Sequence, residues 1–415
     1  MPGVGYKPPN KDMSESPAAF NSPRETYLKL FWRFLKFGLL AWGGPVAQIA
    51  MIRQELVEEE KWISPDKFNR VLAVYQALPG PEAHELCVYF GMLSRGRVGA
   101  LLAGLGFMLP GFTLMFGLSW FYVTYGINSP LFAAAFLGMQ PAVAAMIVRA
   151  IHRIGGHALH DDPWLWGIAF AIGLGHLLKI NFLILLLIAG IVYTLVKRDQ
   201  RKIALALGAV FSVWEISLAV GIGSLPIFPG ANSDTVSNTP SVIAMLLTGL
   251  RSGLLTFGGA YTVIPFLQHD AVEVGKWLTN SQFLDGLALS GLLPAPLIIF
   301  STFVGYIGGG ATGAIALTVG IFAPAFCFTI IGHDLLERVV ENQSVHAFLD
   351  GVTAGVVGLI GATALGILNL TLTSIPAWGV FSVALIFLFR SRAKWAVAVI
   401  ALSAGVFGAL FLHGG

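Results

Sequence analysis

Charged side chains are scarce in this sequence: 11% of its 415 residues, against 56% hydrophobic. A soluble protein carries about 25% charged residues, so most of this chain's exterior has to face something other than water. Cysteine is almost missing. Cys87 and Cys327 both lie in apolar segments, which excludes a disulfide framework or a cysteine-based zinc site and leaves two small packing residues. The sequence has no Walker loop and no dinucleotide loop, which argues against an ATP-driven pump. His84-Glu85 starts like a zinc-protease HExxH motif, but position 88 is Val, so that reading fails. A net charge of +3 gives no footing for nucleic acid. His152, His157, His160 and Asp161 cluster in sequence beside Arg149 and Arg153, but read as a solvated loop and not as a metal site.

Long apolar runs are abundant. Phe182–Val196, Ile203–Val220 and Ala396–Leu412 are nearly free of charge and suited to a bilayer core of roughly 30 Å. Membranes admit only helices or closed barrels, and these runs lack the alternation of a barrel strand. The fold class is therefore all-α, a polytopic membrane protein. Residues 1–25 are polar and rich in Pro and Ser, with no apolar run. They read as a disordered cytosolic tail.

The most informative feature is a repeat. Gly38, Gly43-Gly44, Glu58, Lys61-Trp62, Phe68, Pro79 and Pro81 meet Gly253, Gly258-Gly259, Glu273, Lys276-Trp277, Phe283, Pro294 and Pro296, each 215 residues later. One residue then drops out, so that Pro110 meets Pro324. The halves span 26–200 and 241–415, and 201–240 holds a connecting apolar segment and a Pro/Gly/Ser loop. Positive residues favour the cytoplasmic side. Ser94-Arg95-Gly96-Arg97 faces an uncharged counterpart, Gly308-Gly309-Gly310, whereas Arg390, Arg392 and Lys394 face only Lys179. This reversal predicts inverted-topology repeats with a cytoplasmic N-terminus, as in many secondary transporters.

Each half holds two broken segments. The breaks fall at Gly43-Gly44-Pro45 and Pro79-Gly80-Pro81, and again at Gly258-Gly259-Ala260 and Pro294-Ala295-Pro296. Proline fits the first turn of a new helix, so each break opens a helix N-terminus with unpaired N–H groups and about half a positive charge. Gathered near the midplane, they would form an anion site. Gly and Pro also serve plain close packing; their pairing in both halves favours the site. The charge pattern fits re-entrant hairpins, leaving about nine full spans.

The strings Phe37-Gly38-Leu39-Leu40-Ala41-Trp42-Gly43-Gly44-Pro45 and Gln76-Ala77-Leu78-Pro79-Gly80-Pro81 resemble the chromate ion transporter family. So does Leu255-Thr256-Phe257-Gly258-Gly259-Ala260-Tyr261-Thr262-Val263-Ile264-Pro265. The resemblance covers nearly the whole chain outside the tail and is to the long, two-half form. It implies a transporter, not an enzyme, that exports chromate from a prokaryotic cell across its inner membrane, confers resistance and draws on the proton gradient. Sulfate is the look-alike substrate, and import of sulfate or another small oxyanion is the alternative. A lipid-acting enzyme or a scaffold fits less well. No cofactor is implied, and a homodimer is left open.

A tetrahedral dianion needs many donors, and Gln48, Gln76, Tyr261, Thr262 and Ser290 would add to the helix ends. Glu82 and Glu85 start the helix after Pro81. A membrane carboxylate costs on the order of 3 kcal/mol at the midplane, so either is a candidate proton-coupling group, although acids in a first turn are also ordinary caps. Arg53 is a candidate to attract the anion. Lys61-Trp62 and Lys276-Trp277 read as interface anchors.

Overall fold

A computed structural model describes residues 22–126, 129–159, 161–219, 240–340, 342–391, 393 and 395–412. The predicted tail up to residue 21, most of the connecting loop before Pro240, His160, Arg392 and Lys394 lie outside the described residues. Among the described residues the secondary structure is helical, with no strand.

The first half begins with α1 (Tyr27–Leu39), α2 (Gly44–Ile52), which continues as a widened π turn through Glu59, and α3 (Pro65–Ala77). Then come α4 (Glu82–Phe121), α5 (Pro130–Ala158), α6 (Pro163–Leu177) and α7 (Phe182–Lys197). The connecting segment contributes α8 (Arg201–Ala219). The second half repeats the series: α9 (Val242–Leu254), α10 (Val263–Gln268), α11 (Asn280–Gly291), α12 (Phe300–Val340), α13 (Gln343–Thr371), α14 (Ile375–Arg390) and α15 (Ala396–Phe411).

The repeat is written into small chemical details. Thr26 and Ser64 cap α1 and α3, and Ser241 and Thr279 cap α9 and α11 at the matching positions. Each such cap contributes about 1 kcal/mol. Lys61 and Lys276 share a positive φ of 54° and 51°. Lys36 pairs with Glu55 at 3.8 Å, and their counterparts Arg251 and Asp270 form the same ion pair. Residues 36 and 55 lie on either side of the first break, so this contact shows that α1 and α2 fold back on each other.

The long helix α4 is two arms. Arg95 (φ −142°, ψ 25°) and Gly96 (φ 60°, ψ −152°) leave the helical region, and Gly309 (φ −152°, ψ 22°) and Gly310 (φ 62°, ψ −152°) do the same in α12. Gly96 and Gly310 adopt the left-handed φ that glycine tolerates without a Cβ penalty. The arms then pack face to face: a Cβ at Gly91 would overlap the Gly99 carbonyl, and one at Gly305 would overlap that of Gly313. Thr302 and Thr318, one on each arm of α12, share a 2.8 Å hydrogen bond. The charged turn Ser94–Arg97 and its glycine counterpart are hairpin tips.

Among the described residues, four helical stretches can by length and composition cross a membrane: Glu82–Gly126, Pro130–Ala158, Leu297–Gly332 and Gln343–Thr371. The first and third contain the hairpin tips. The protein is a multi-pass membrane protein.

The halves exchange partners. The first half's α5 packs on α14 and α15, and the second half's α13 packs on α6 and α7. Small residues permit this: Gly138 sits against Ala404 and Gly408, and Gly351 against Ala189. Helices α5 and α13 run in opposite directions where they meet. Gly155 touches Val357, while His157, further along α5, shares a cavity with His346 and Leu349, further back along α13. Trp62 is 2% exposed, stacked edge-on against Phe90. It is therefore a core residue and not an interface anchor.

Candidate functional site

Two cavities meet at the breaks. One, of about 350 Å³, is lined by Trp42, Gly43, Gly44 and Pro45 of the first half and by Tyr261, Ser290 and Ala295 of the second. The other, of about 440 Å³, is lined by Pro45, Gln76 and Glu82 together with Gly258 and Gly259. The first and second breaks of one half thus face those of the other. The backbone joins them directly, since the Gly80 N–H donates to the Thr256 carbonyl at 2.9 Å.

The N-terminus of α2 is built as an anion would need it. Gly43 and Gly44 have φ of 91° and 77°, and Pro45 stands in the first turn. No side chain caps this end, so its N–H groups are left toward the cavity. Gln48 holds the break in place from behind: it is buried and donates through Nε2 to the Ala41 carbonyl at 2.9 Å.

The positive charge comes from α5. Arg149 lines the smaller cavity, and Arg153 lines both. Arg153 reaches toward Gly44, one guanidinium nitrogen lying 3.9 Å from where a Cβ there would be, and rests over the Tyr261 ring. Arg149 donates to the Ser391 carbonyl at 3.3 Å. Among the described residues neither forms an ion pair. A charged residue in a membrane helix faces the bundle interior and marks a substrate path. Sequence reasoning noted these two arginines only as neighbours of the histidine cluster. The signal it passed over is their spacing of four, which puts both on one helix face.

The other sequence candidates are distributed unevenly. Gln76, Glu82, Gly258, Gly259, Tyr261 and Ser290 line the cavities. Thr262 is buried and donates to the Gly259 carbonyl, bracing the second-half break. Pro79, Gly80, Pro81, Pro294 and Pro296 lie behind the walls, and of the second-half Pro-Ala-Pro only Ala295 reaches a cavity. Arg53 is outside both cavities, paired with Glu58 at 3.0 Å and lying over Phe68. The second-half breaks resume as single tight turns, Ala260–Thr262 and Leu297–Ile299, before α10 and α12 begin. They do not open directly as α-helical ends, so α2 presents the better N-terminus.

Glu82 and Glu85 occupy the first turn of α4. Glu82 shares the larger cavity with Arg153. Glu85 is fully buried directly under Gly80, and among the described residues both its oxygens lack a hydrogen-bond partner. His157, read from sequence as part of a loop, lies in the last turn of α5 and lines the larger cavity with His346 and Asp350, themselves an ion pair at 3.1 Å. His157 and His346 are exposed, so this cavity opens at the C-terminal end of α5. Among the described residues no group of three or more His, Cys, Asp or Glu converges as a metal site would require.

Comparison with known proteins covers both halves. The chromate transporter family matches residues 28–195 and 243–409. The chromate transport protein of Pseudomonas aeruginosa is 53% identical over 397 residues, 93% of this chain and 92% of that one. The chromate transport protein of Cupriavidus metallidurans is 26% identical over 98% of this chain and 99% of its own. An uncharacterized transporter of Bacillus subtilis is 34% identical over 139 residues, a third of this chain but 70% of that protein, as a single half would be. No solved structure matches. With both halves matched and a relative at this identity along nearly its full length, the chain belongs to the chromate transporter family.

Proposed function

We infer that this protein is a secondary transporter that carries chromate out of the cell in exchange for protons, and so confers chromate resistance. One observation carries the reading. The uncapped N-terminus of α2 and the guanidinium groups of Arg149 and Arg153 converge on a cavity that the second half closes with Tyr261 and Ser290. A tetrahedral dianion needs donors on all sides, and helix ends supply them without the full charges that would trap it. Two arginines match the two charges of chromate. The chromate transport proteins similar to this chain support the same substrate.

Charge supports the outward direction. Arg198, Arg201 and Lys202 gather at the end of α7 and the start of α8, and Arg198 donates to Ser344 at the start of α13. This is the end at which the larger cavity opens, and positive residues favour the cytoplasm. An exporter loads from that side. Proton coupling is assigned to Glu82 and Glu85. Glu82 faces the same cavity as Arg153, so a proton would be carried on Glu82 while the anion is absent from the site and given up before the next anion loads. The opposed directions of α5 and α13 support inverted-topology repeats, with this cavity near their shared axis.

The test is radiolabelled chromate accumulation in a chromate-sensitive bacterium, with and without the protein, at low and high sulfate. Reduced accumulation that an uncoupler restores to control levels is the expected result. Raised accumulation that sulfate competes away would make the protein an importer. No change with verified expression would remove chromate from the reading.

A further inference from the structure

Another buried acid lies between the halves, away from both cavities. Asp285 of α11 is 5% exposed. Both its oxygens are held by first-half side chains: Tyr122 donates to Oδ2 at 2.7 Å and Gln140 to Oδ1 at 3.0 Å. Gln140 spends its other amide hydrogen on Ser281 Oγ at 2.7 Å. Among the described residues no cation balances the carboxyl. The arms and helices packed on α11 present no other charge to it: the second arm of α4 offers Tyr122, α12 offers Tyr306, and α15 carries no titratable group. Arg149, the nearest charge on α5, is nine residues beyond Gln140, roughly 13 Å along the helix.

The repeat fold does not require this acid. The matching position in the first half is Arg70, which is exposed. Placement gives it a use. Gln140 lies towards the opposite end of α5 from the cavity mouth, and α11 runs on from Asp285 to Ser290, which lines the smaller cavity. We propose that Asp285 is a proton-binding site of the transport cycle, on the outward side of the anion cavity. The proposal rests on the gradient-coupled reading above.

The chemistry is a matter of donors and acceptors. As a carboxylate, Asp285 accepts from both Tyr122 and Gln140. A proton on Oδ2 meets the Tyr122 hydroxyl, which turns to accept it, while Oδ1 stays a neutral carbonyl that still accepts from Gln140. Protonation thus replaces charge-assisted hydrogen bonds by neutral ones, roughly half as strong. It weakens the hold of α5 on α11, deprotonation strengthens it, and Ser290 on α11 feels the change.

The experiment uses the full chain in proteoliposomes loaded with chromate. Uphill movement of labelled chromate under an imposed pH gradient is compared with chromate–chromate counterflow at no gradient. Asp285→Asn is expected to lower uphill transport by about tenfold, a usual size for coupling between two sites, with counterflow within about twofold of the parent. Uphill transport at the parent's rate would overturn the proposal. Loss of both activities would overturn it too, by making Asp285 a prop of the anion path. Should that variant fail to reach the bilayer, Tyr122→Phe keeps the acid and removes one donor. Its uphill transport should show a displaced pH profile, and an undisplaced one overturns the proposal. An unaltered protein that shows counterflow but no response to the gradient would overturn both the coupling and the proposal.

Discussion

The guanidinium of Arg153, from the first half, lies over the ring of Tyr261, from the second, at 5.9 Å from its centroid. The pair closes the cavity across the line where the halves meet. With Pro130–Ala158 laid on Gln343–Thr371, the position matching Arg153 in the second half is Gly366 and that matching Arg149 is Ala362, so the cavity is symmetric in its breaks and asymmetric in its charge.

Replacing Arg153 should therefore matter more than any change at its counterpart. A hydrogen bond to a charged group contributes about 1.5–3 kcal/mol, so Arg153→Gln should weaken chromate binding by about ten- to a hundredfold. Arg153→Lys should retain part of it, and Gly366→Ala, where a Cβ would meet nothing within 4 Å, should change little. Binding to the purified protein, followed by isothermal titration, checks this.

Gly44 has φ of 77°, a conformation that costs a residue with a Cβ roughly 1–2 kcal/mol. Gly44→Val should reach the membrane and lose transport, because its side chain would enter the cavity beside Arg153. Normal transport by well-expressed Gly44→Val would sink the assignment of the α2 end as the anion site.

The two matching ion pairs should differ in strength. Lys36–Glu55 is exposed at the lysine, whereas the Asp270 side chain is 4% exposed beside Arg251. An exposed pair contributes about 0–1 kcal/mol, and removing one partner of a buried pair costs about 3–5 kcal/mol. Arg251 is itself part-exposed, so the lower end applies. Arg251→Ala should lower the melting temperature in detergent clearly more than Lys36→Ala.

Glu25, just ahead of α1, gives a pH prediction. Burial pushes its carboxyl up, but hydrogen bonds and charge from Arg33 and Lys29 outweigh this and hold it below its ordinary 4.5. A depressed folded-state value stabilises the protein above the unfolded one, and this contribution fades as pH falls below about 4.5. Glu25→Gln should be less stable than the parent at pH 7 and converge with it in acid. Thermal melts across that range would show it, and parallel curves would refute it.

Much of this architecture was legible beforehand. The breaks at Gly43-Gly44-Pro45 and Pro79-Gly80-Pro81 announced themselves because Gly and Pro act on the backbone locally. The hairpin tip at Gly96 was foreshadowed by its alignment with Gly310. What sequence could not supply was the facing of long side chains. Arg149 and Arg153 look like end-of-helix charges until α14 and α15 are laid against α5. Arg53 looks available until Glu58 is found beside it. Asp285 sits on an ordinary apolar stretch, and only the fold brings Tyr122 and Gln140, from 163 and 145 residues away, to its two oxygens.

The exchange of α5 and α13 also says something about ancestry and assembly. In each half one helix, α5 or α13, is covered by the other half's last two, so neither half alone has a finished interior. A polypeptide containing one half would leave that helix's small-residue face bare in the bilayer. It would need a second copy to complete it, with the matching helix running the other way, as α5 and α13 do.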